Sequence, residues 1–353
     1  MGLRTICFSW PQGAVCKELC DVFYPVSITE KEEILRLCQA ERIDGVCTIG
    51  SDVAAPTVAY VAERMGLPGN SYEAAVRAHD KHRMREALVV AGVDCPKYIV
   101  ESQKSKVEST GLELPLIVKP SDRSGSLGVK KIEQWEDLDA AVQEAERLSI
   151  AGEALVEEYI EGREISVETI SQGGQHFDLQ ITDKVTTGAP HFVELAHHQP
   201  SSLSPEMQER IFAITHRTLD ALGLTDGAAH SEYKITASGR IVVMEIGGRM
   251  GGDFIGSHLV QLSTGYDFLQ GVIEVALGQT IAPVKPVHLC SGVYFLSAVT
   301  PEVLPYITHA GQYPEVVQAE QTCPELKPLA CSGDRSGYFI YQANSRLTIT
   351  NNQ

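Results

Sequence analysis

Two runs with strand-like patterning, Ala229–Ile235 and Ile241–Ile246, flank the tetrapeptide Ala237-Ser238-Gly239-Arg240. A Ser-Gly pair between such runs signals a two-residue β-hairpin. That loop sets the register, and the register places Glu232 directly opposite Glu245 on one face. Two carboxylates with Cβ atoms about 5 Å apart repel unless one is protonated or a cation lies between them. Oxygen-only ligands, with positions left for water and phosphate, suit Mg2+. A longer loop with a bulge would slip the register and turn one glutamate to solvent, so both arrangements stay open at this point.

The chain has 353 residues, more than one ordinary core holds, so two or three domains are expected. Its composition, 43% apolar and 21% charged, carries no class-defining bias, which leaves a globular α/β enzyme as the default. A net charge of -17 without any Lys/Arg-rich run argues against nucleic-acid and membrane partners, both of which need a basic footprint. A polyphosphate would need a local cluster of Lys, Arg, backbone N–H groups and metal ions. The nine cysteines are scattered, and the nearest pair, Cys16 and Cys20, lacks zinc-site partners. Free thiols in a reducing, cytoplasmic compartment are expected. No signal-peptide run and no stretch of about 18 apolar residues is present. Met1-Gly2 is followed by Ile6 rather than Ser or Thr, against myristoylation.

Residues 3–78 alternate strand and helix patterns. Leu3–Phe8 and Gly45–Ile49 read as strands. Thr29 with Glu32 reads as a capping box opening a helix striped by Ile34, Leu35, Leu37 and Cys38, and Pro56–Met65 as a second helix closed by Gly66. This pattern predicts a small parallel-sheet domain. Helix 80–91, strand Tyr98–Val100, a polar segment 101–111, strands 115–119 and 128–132, helix 136–149, and strands 154–158 and 163–170 follow. Residues 176–199 read as a His-rich loop, 205–222 and 265–277 as helices, and the tail 286–353 as short strands.

Leu116-Ile117-Val118-Lys119-Pro120 is a strand ending in a lysine, and Ser124-Gly125-Ser126-Leu127-Gly128 follows it. Small residues let backbone N–H groups approach phosphate oxygens. Neither G-x-x-x-x-G-K-[ST] nor G-x-G-x-x-G occurs. Alone, this segment reads as a plain hairpin, and Lys81 in a first helical turn as a solvated side chain.

Together with Val156-Glu157-Glu158-Tyr159-Ile160-Glu161-Gly162-Arg163-Glu164, Glu232, and Glu245-Ile246-Gly247-Gly248-Arg249, these segments resemble the ATP-grasp superfamily in order and spacing. His79-Asp80-Lys81 looks like its opening helix. The run Glu245–Asp253 is most similar to the carbamoyl-phosphate-synthetase-like amide ligases, a branch that includes bacterial L-amino-acid (dipeptide) ligases. The resemblance implies an α/β protein, α+β in its ATP-grasp part, with a short parallel-sheet N-terminal domain before a two-lobed ATP-grasp fold. The expected divisions are a pre-ATP-grasp domain at 1–78, lobe A with the phosphate loop at 79–155, lobe B with the Mg-ATP site at 156–285, and a small C-terminal subdomain at 286–353.

The resemblance also implies roles. Lys81 and Lys119 would hold ATP phosphates, under a lid formed by Ser124, Gly125, Ser126 and Gly128. Glu157, Glu158 and Ile160 would border the adenine, and Glu164 the ribose. Lys184 would join the ATP-binding set. Glu232 and Glu245 would bind Mg2+ or Mn2+, and Arg249 would stabilise the acyl-phosphate. His197, His230, Gly251 and Gly252 are expected near the substrate, although a satisfied structural His230 and a packing turn at Gly251-Gly252 are equally open. Expected partners are ATP, a carboxylate such as an amino acid, and an amine, with a homodimer left open.

Two departures from the family pattern stand out. The usual third metal ligand, an Asn, is Gly247 here, and one N-terminal βα unit is missing, which leaves open an alternative start, a truncated gene or a compact variant. The implied activity is ATP-dependent carboxylate–amine ligation. The alternatives are an ATP-dependent carboxylase or purine-type synthetase, and a catalytically weak nucleotide-binding regulatory protein.

Overall fold

The computed structural model describes residues 2–100, 111–123, 125 and 127–349. At the N-terminus, β1 (Ile6–Phe8) pairs in parallel with β2 (Val22–Tyr24). The expected strand at 45–49 joins no ladder. Its backbone is used elsewhere: Ile49 O accepts Met250 N at 2.9 Å, and a Cβ on Gly45 would lie 2.6 Å from Ala276 O. The segment is thus pressed onto Met250 and Ala276, and β2 takes the second strand position.

Helix α1 (Lys31–Glu41) buries Ile34, Leu37 and Cys38 near α2 (Ala55–Met65), which ends at Gly66 with φ 67. The Thr29/Glu32 capping box does not form. Thr29 Oγ1 bonds Ser27 Oγ at 2.9 Å, and the Glu32 carboxylate accepts from Tyr60 OH at 2.8 Å. Helix α3 (Tyr72–His79) precedes α4 (Lys81–Val90). Asp80 separates them with extended backbone (ψ 113) and caps α4 by accepting Arg83 N at 3.1 Å.

A four-stranded antiparallel sheet follows. It contains β3 (Tyr98–Ile99), β4 (Leu116–Pro120), β5 (Lys130–Ile132) and β6 (Ala154–Glu158), in the order β3-β6-β4-β5. Helix α5 (Leu138–Leu148) closes one face, burying Leu138, Ala141, Val142 and Ala145 in one core with Leu116, Val118, Ile132 and Val156. Each fully buried Leu, Ile or Val contributes roughly 1.5–3 kcal/mol.

The second sheet has eight strands. These are β7 (Arg163–Gln172), β8 (Gln175–Thr186), β9 (Glu194–Gln199), β10 (Gly227–Ile235), β11 (Ile241–Gly247), β12 (Cys290–Leu296), β13 (Val316–Gln321) and β14 (Gly337–Ala343), in the order β11-β10-β7-β8-β9-β12-β14-β13. Helix α6 (Pro205–Leu222) packs Ile211, Leu219 and Leu222 into a core shared with Ile165, Val167, Tyr233 and, from α4, Met84 and Leu88. Residues 176–199 are therefore mostly strand rather than loop. In β9 the residues His197, His198 and Gln199 are all buried, so no apolar alternation marks that strand, whereas β8 does alternate, with Phe177, Leu179 and Ile181 between polar residues.

The β10/β11 hairpin reaches its register by an indirect route. Thr236 N donates to Arg240 O at 3.0 Å, and Gly239 sits at φ 79, so the loop is one residue longer than expected. The pairs next to it, such as Tyr233↔Val243, are consequently one residue out of step. A bulge at Met244 restores the count, and Glu232 pairs with Glu245.

Candidate active site

A cleft lies between the two sheets and is lined by Lys81, Lys119, Gly125, Glu157, Tyr159, Glu164, Lys184, Glu194, Glu232 and Glu245. Eight of the residues selected from sequence line it: Lys81, Lys119, Gly125, Glu157, Glu164, Lys184, Glu232 and Glu245. Strand alternation explains the β10 contribution: Tyr233 turns into the core, where its OH meets Thr215 Oγ1 at 2.8 Å, while His230, Glu232 and Lys234 turn to the opposite face.

At one end the charge is positive. Lys81 opens α4, is buried, and donates from Nζ to Arg123 O at 2.6 Å while pairing with Glu245 at 3.1 Å. Lys119, near the end of β4, pairs with Glu157 at 2.6 Å. The other Glu157 oxygen accepts from Arg85 Nε at 2.7 Å, and Arg85 Nη2 donates to Met244 O at 2.6 Å. Burial would raise the Glu157 pKa, but Arg85 and Lys119 together hold it lowered. Burial lowers Lys119, and Arg85 and Lys81 lower it further against the pull of Glu157. Three cations, Lys81, Arg85 and Lys119, beside two carboxylates, Glu157 and Glu245, leave a local positive excess, which suits a polyanion.

Glu157 spends its carboxylate on these cations. Glu158 turns away, accepting from Lys97 N and Arg240 Nη2, each at 3.1 Å. Ile160 is buried, and Glu164 pairs with Lys234 across the β7/β10 ladder at 3.1 Å. Near it, Tyr159 and Phe192 have ring centroids 6.4 Å apart. Gly125 and Gly128 take φ values of 67 and 76, and a Cβ on Gly128 would lie 2.8 Å from Leu148 Cδ1. Ser124 and Ser126 lie outside the described residues.

The two facing glutamates open to the cleft, with side chains 33% (Glu232) and 31% (Glu245) exposed. Lys184 Nζ lies 2.7 Å from Glu232 Oε1 and 3.6 Å from Glu194. Burial would lower the Lys184 pKa, but Glu232 and Glu194 raise it. Burial opposes ionisation of Glu232 as well, yet Lys184 and His230 keep it well below the ordinary value. His230 donates between Glu168 and Glu232; burial would lower its pKa, but Glu168 and Glu232 raise it to about 9. Among the described residues no group of three or more His, Cys, Asp or Glu could hold a metal by itself. Two facing carboxylates still fit a hard cation that completes its shell with phosphate and water.

Beyond them, Arg249 forms a two-point ion pair with Asp52, Nε to Oδ1 and Nη2 to Oδ2, each at 2.7 Å. Gly251 packs tightly inside the protein: its N donates to Glu168 at 2.9 Å, and a Cβ there would lie 2.6 Å from Glu168 Oε1. No atom lies within 4 Å of a Cβ built on Gly252. His197 pairs with Lys184 in the β8/β9 ladder, and its Nε2 lies 3.5 Å from Asp253 Oδ2. His198 points the other way, to Tyr341 OH at 2.9 Å. Asp253 also meets Arg335 at 2.8 Å, and Arg335 meets Glu194 at 3.0 Å.

Sequence reasoning passed over Asp52, Arg85 and Arg335. Arg85 stands four residues after Lys81, on the same helix face, and that spacing could have flagged it. Asp52 follows the strand-like segment 45–49, a place where loops often carry function.

Residues 112–257 match the ATP-grasp domain family. The chain is 28% identical over 247 residues to alanine–anticapsin ligase of Bacillus subtilis, covering 63% of this chain and 51% of that protein. It is 25% identical over 274 residues to D-alanine–D-alanine ligase B of Pseudomonas putida, covering 73% and 83%. The chain thus spans about half the length of the alanine–anticapsin ligase, at 51%. The crystal structure of L-amino acid ligase from Bacillus licheniformis superposes with a TM-score of 0.80 at 24% identity, over 98% of this chain and 88% of that one. The match spans β4 to β11, the strands that carry Lys119, Glu157, Lys184, Glu232 and Glu245, so this part of the chain is similar to the ATP-grasp domain.

Proposed function

We propose that the chain is an ATP-dependent carboxylate–amine ligase that joins an amino acid to a second amino acid or small amine. The observation that carries this reading is the convergence of Lys81, Lys119, Glu232 and Glu245 on one cleft, with Arg249 two and four residues beyond Gly247 and Glu245 on the same connection. Lys81 and Lys119 hold the phosphates of ATP. Glu232 and Glu245 hold a divalent cation, Mg2+ or Mn2+, which supplies charge neutralisation at those phosphates when bound. A carboxylate oxygen attacks the γ-phosphorus, and the bond to ADP breaks. The amine nitrogen then attacks the acyl carbon, phosphate leaves, and the nitrogen gives up a proton. Arg249 stabilises the negative charge on the acyl-phosphate and on the tetrahedral species.

The printed names of the relatives support the amine-ligase reading, since they are ligases of alanine with anticapsin, of D-alanine with D-alanine, and of L-amino acids. We divide the chain at 79, 156 and 286 into the four units expected above, and read the enzyme as cytoplasmic on the strength of its nine free cysteines. The test is phosphate release from Mg-ATP across single and paired amino acids and amines. Release that requires a particular pair supports ligation and names the substrates. Release that follows bicarbonate instead replaces the reading with a carboxylase, and ATP binding without turnover replaces it with a nucleotide-binding regulator.

A further inference from the structure

Arg249 has five N–H donors in one plane. Nε and one Nη2 hydrogen go to the two oxygens of Asp52. One Nη1 hydrogen goes to Met250 O at 2.9 Å. Among the described residues two donors remain, one on each terminal nitrogen, and both can donate to an oxyanion.

Asp52 comes from the loop before α2, far along the chain from Arg249. The neighbouring bond from Met250 N to Ile49 O fastens the same two segments together. Residue 247 shapes the contact. A Cβ on Gly247 would lie 2.7 Å from Asp52 Oδ1 and 3.1 Å from Arg249 Nε. Any side chain there would have to displace the carboxylate or the guanidinium, both of which are largely buried with 13% of each side chain exposed.

We infer that Asp52 is a positioning residue for the ligase reaction, aiming the two remaining donors of Arg249 at the reacting oxyanion, and that Gly247 is the vacancy that admits it. The inference rests on the role given to Arg249 under the proposed function. It makes the N-terminal unit part of the site: without the 50–54 loop, Arg249 would keep its charge and lose its direction.

The test compares Asp52→Asn, Gly247→Ala and the double variant for phosphate release at saturating ATP, for the KM of ATP, and for thermal unfolding. Each single variant should lower kcat by about 10- to 100-fold, as the loss of a supporting partner typically does, with the KM of ATP unchanged. Gly247→Ala removes no charge, so its loss reports geometry. The double variant should lose no more than the worse single one, because both act through one contact. A wild-type kcat in either single variant, or losses that multiply in the double, overturns the inference. Wild-type protein that releases no phosphate with any pair sinks the proposed function alone. The contact is then judged by a thermal cycle of Asp52→Ala, Arg249→Ala and their combination, where shifts smaller than additive uphold it and additive shifts overturn it.

Discussion

The Arg85 guanidinium donates to the carbonyl of Met244, the residue that the β10/β11 bulge leaves out of step, at 2.6 Å. The same side chain, fully buried, holds Glu157 at 2.7 Å. One arginine therefore satisfies the irregularity that sets Glu232 against Glu245, and fixes the carboxylate that anchors Lys119.

Arg85→Met should be strongly destabilising. It leaves the Met244 carbonyl without this donor and Glu157 with Lys119 alone. Breaking a buried pair by removing one partner costs about 3–5 kcal/mol. Denaturant unfolding of the variant checks this, and a loss below about 1 kcal/mol would show that the arginine is dispensable to the fold.

Glu245→Gln keeps the shape of the side chain and removes its charge. Lys81 then loses its carboxylate partner at 3.1 Å, and the facing pair loses half its negative charge. ATP should still bind, because Lys81 and Lys119 remain, while turnover should cease at any Mg2+ concentration. Phosphate release titrated against Mg2+ and Mn2+ decides this. Unaltered cation dependence would remove Glu245 from the metal site.

Much of this arrangement was legible before the structure, though for uneven reasons. The opposition of Glu232 and Glu245 follows from a two-residue loop on paper; in the protein a longer loop and a bulge at Met244 cancel each other to give the same pair. The four-stranded sheet and its helix carried clean periodicity, and their limits fell close to those expected. Strand β9 was hidden because its buried residues include His197, His198 and Gln199 where apolar alternation would mark a strand, while β8 carried that alternation in Phe177, Leu179 and Ile181 and was passed over for its histidines and polar neighbours. Asp52 was beyond reach for another reason. Its partner Arg249 lies 197 residues away in sequence, and nothing local marks such a pair.

His198 should make the protein acid-sensitive. Burial, then Arg346 and His197, push its pKa down to about 3, and its ring stacks edge-on against Tyr294 while bonding Tyr341 OH. The unfolded chain takes up a proton near pH 6.5, so between about 6.5 and 3 it binds more protons than the folded one. Stability from this residue is therefore complete above about 6.5 and falls as pH drops towards 3, by about 1.4 kcal/mol per unit. His198→Gln should flatten the fall in unfolding free energy between pH 6.5 and 5 by about one proton. An unchanged slope would mean that the ring is not buried neutral.

Arg249→Ala and Arg249→Lys should separate the charge of this residue from its geometry. Alanine leaves Asp52 largely buried and unpaired, so both stability and turnover should fall, with kcat down on the order of 10²-fold or more. Lysine restores a cation to Asp52 but presents a single point of charge. It cannot hold two carboxylate oxygens, the Met250 carbonyl and a reacting oxyanion at fixed angles in one plane. Thermal stability should therefore recover much of the way to wild type in the lysine variant while kcat stays close to the alanine level. A lysine variant that recovers turnover along with stability would mean that Arg249 acts through its charge alone, and that the fork held by Asp52 is not what the reaction uses.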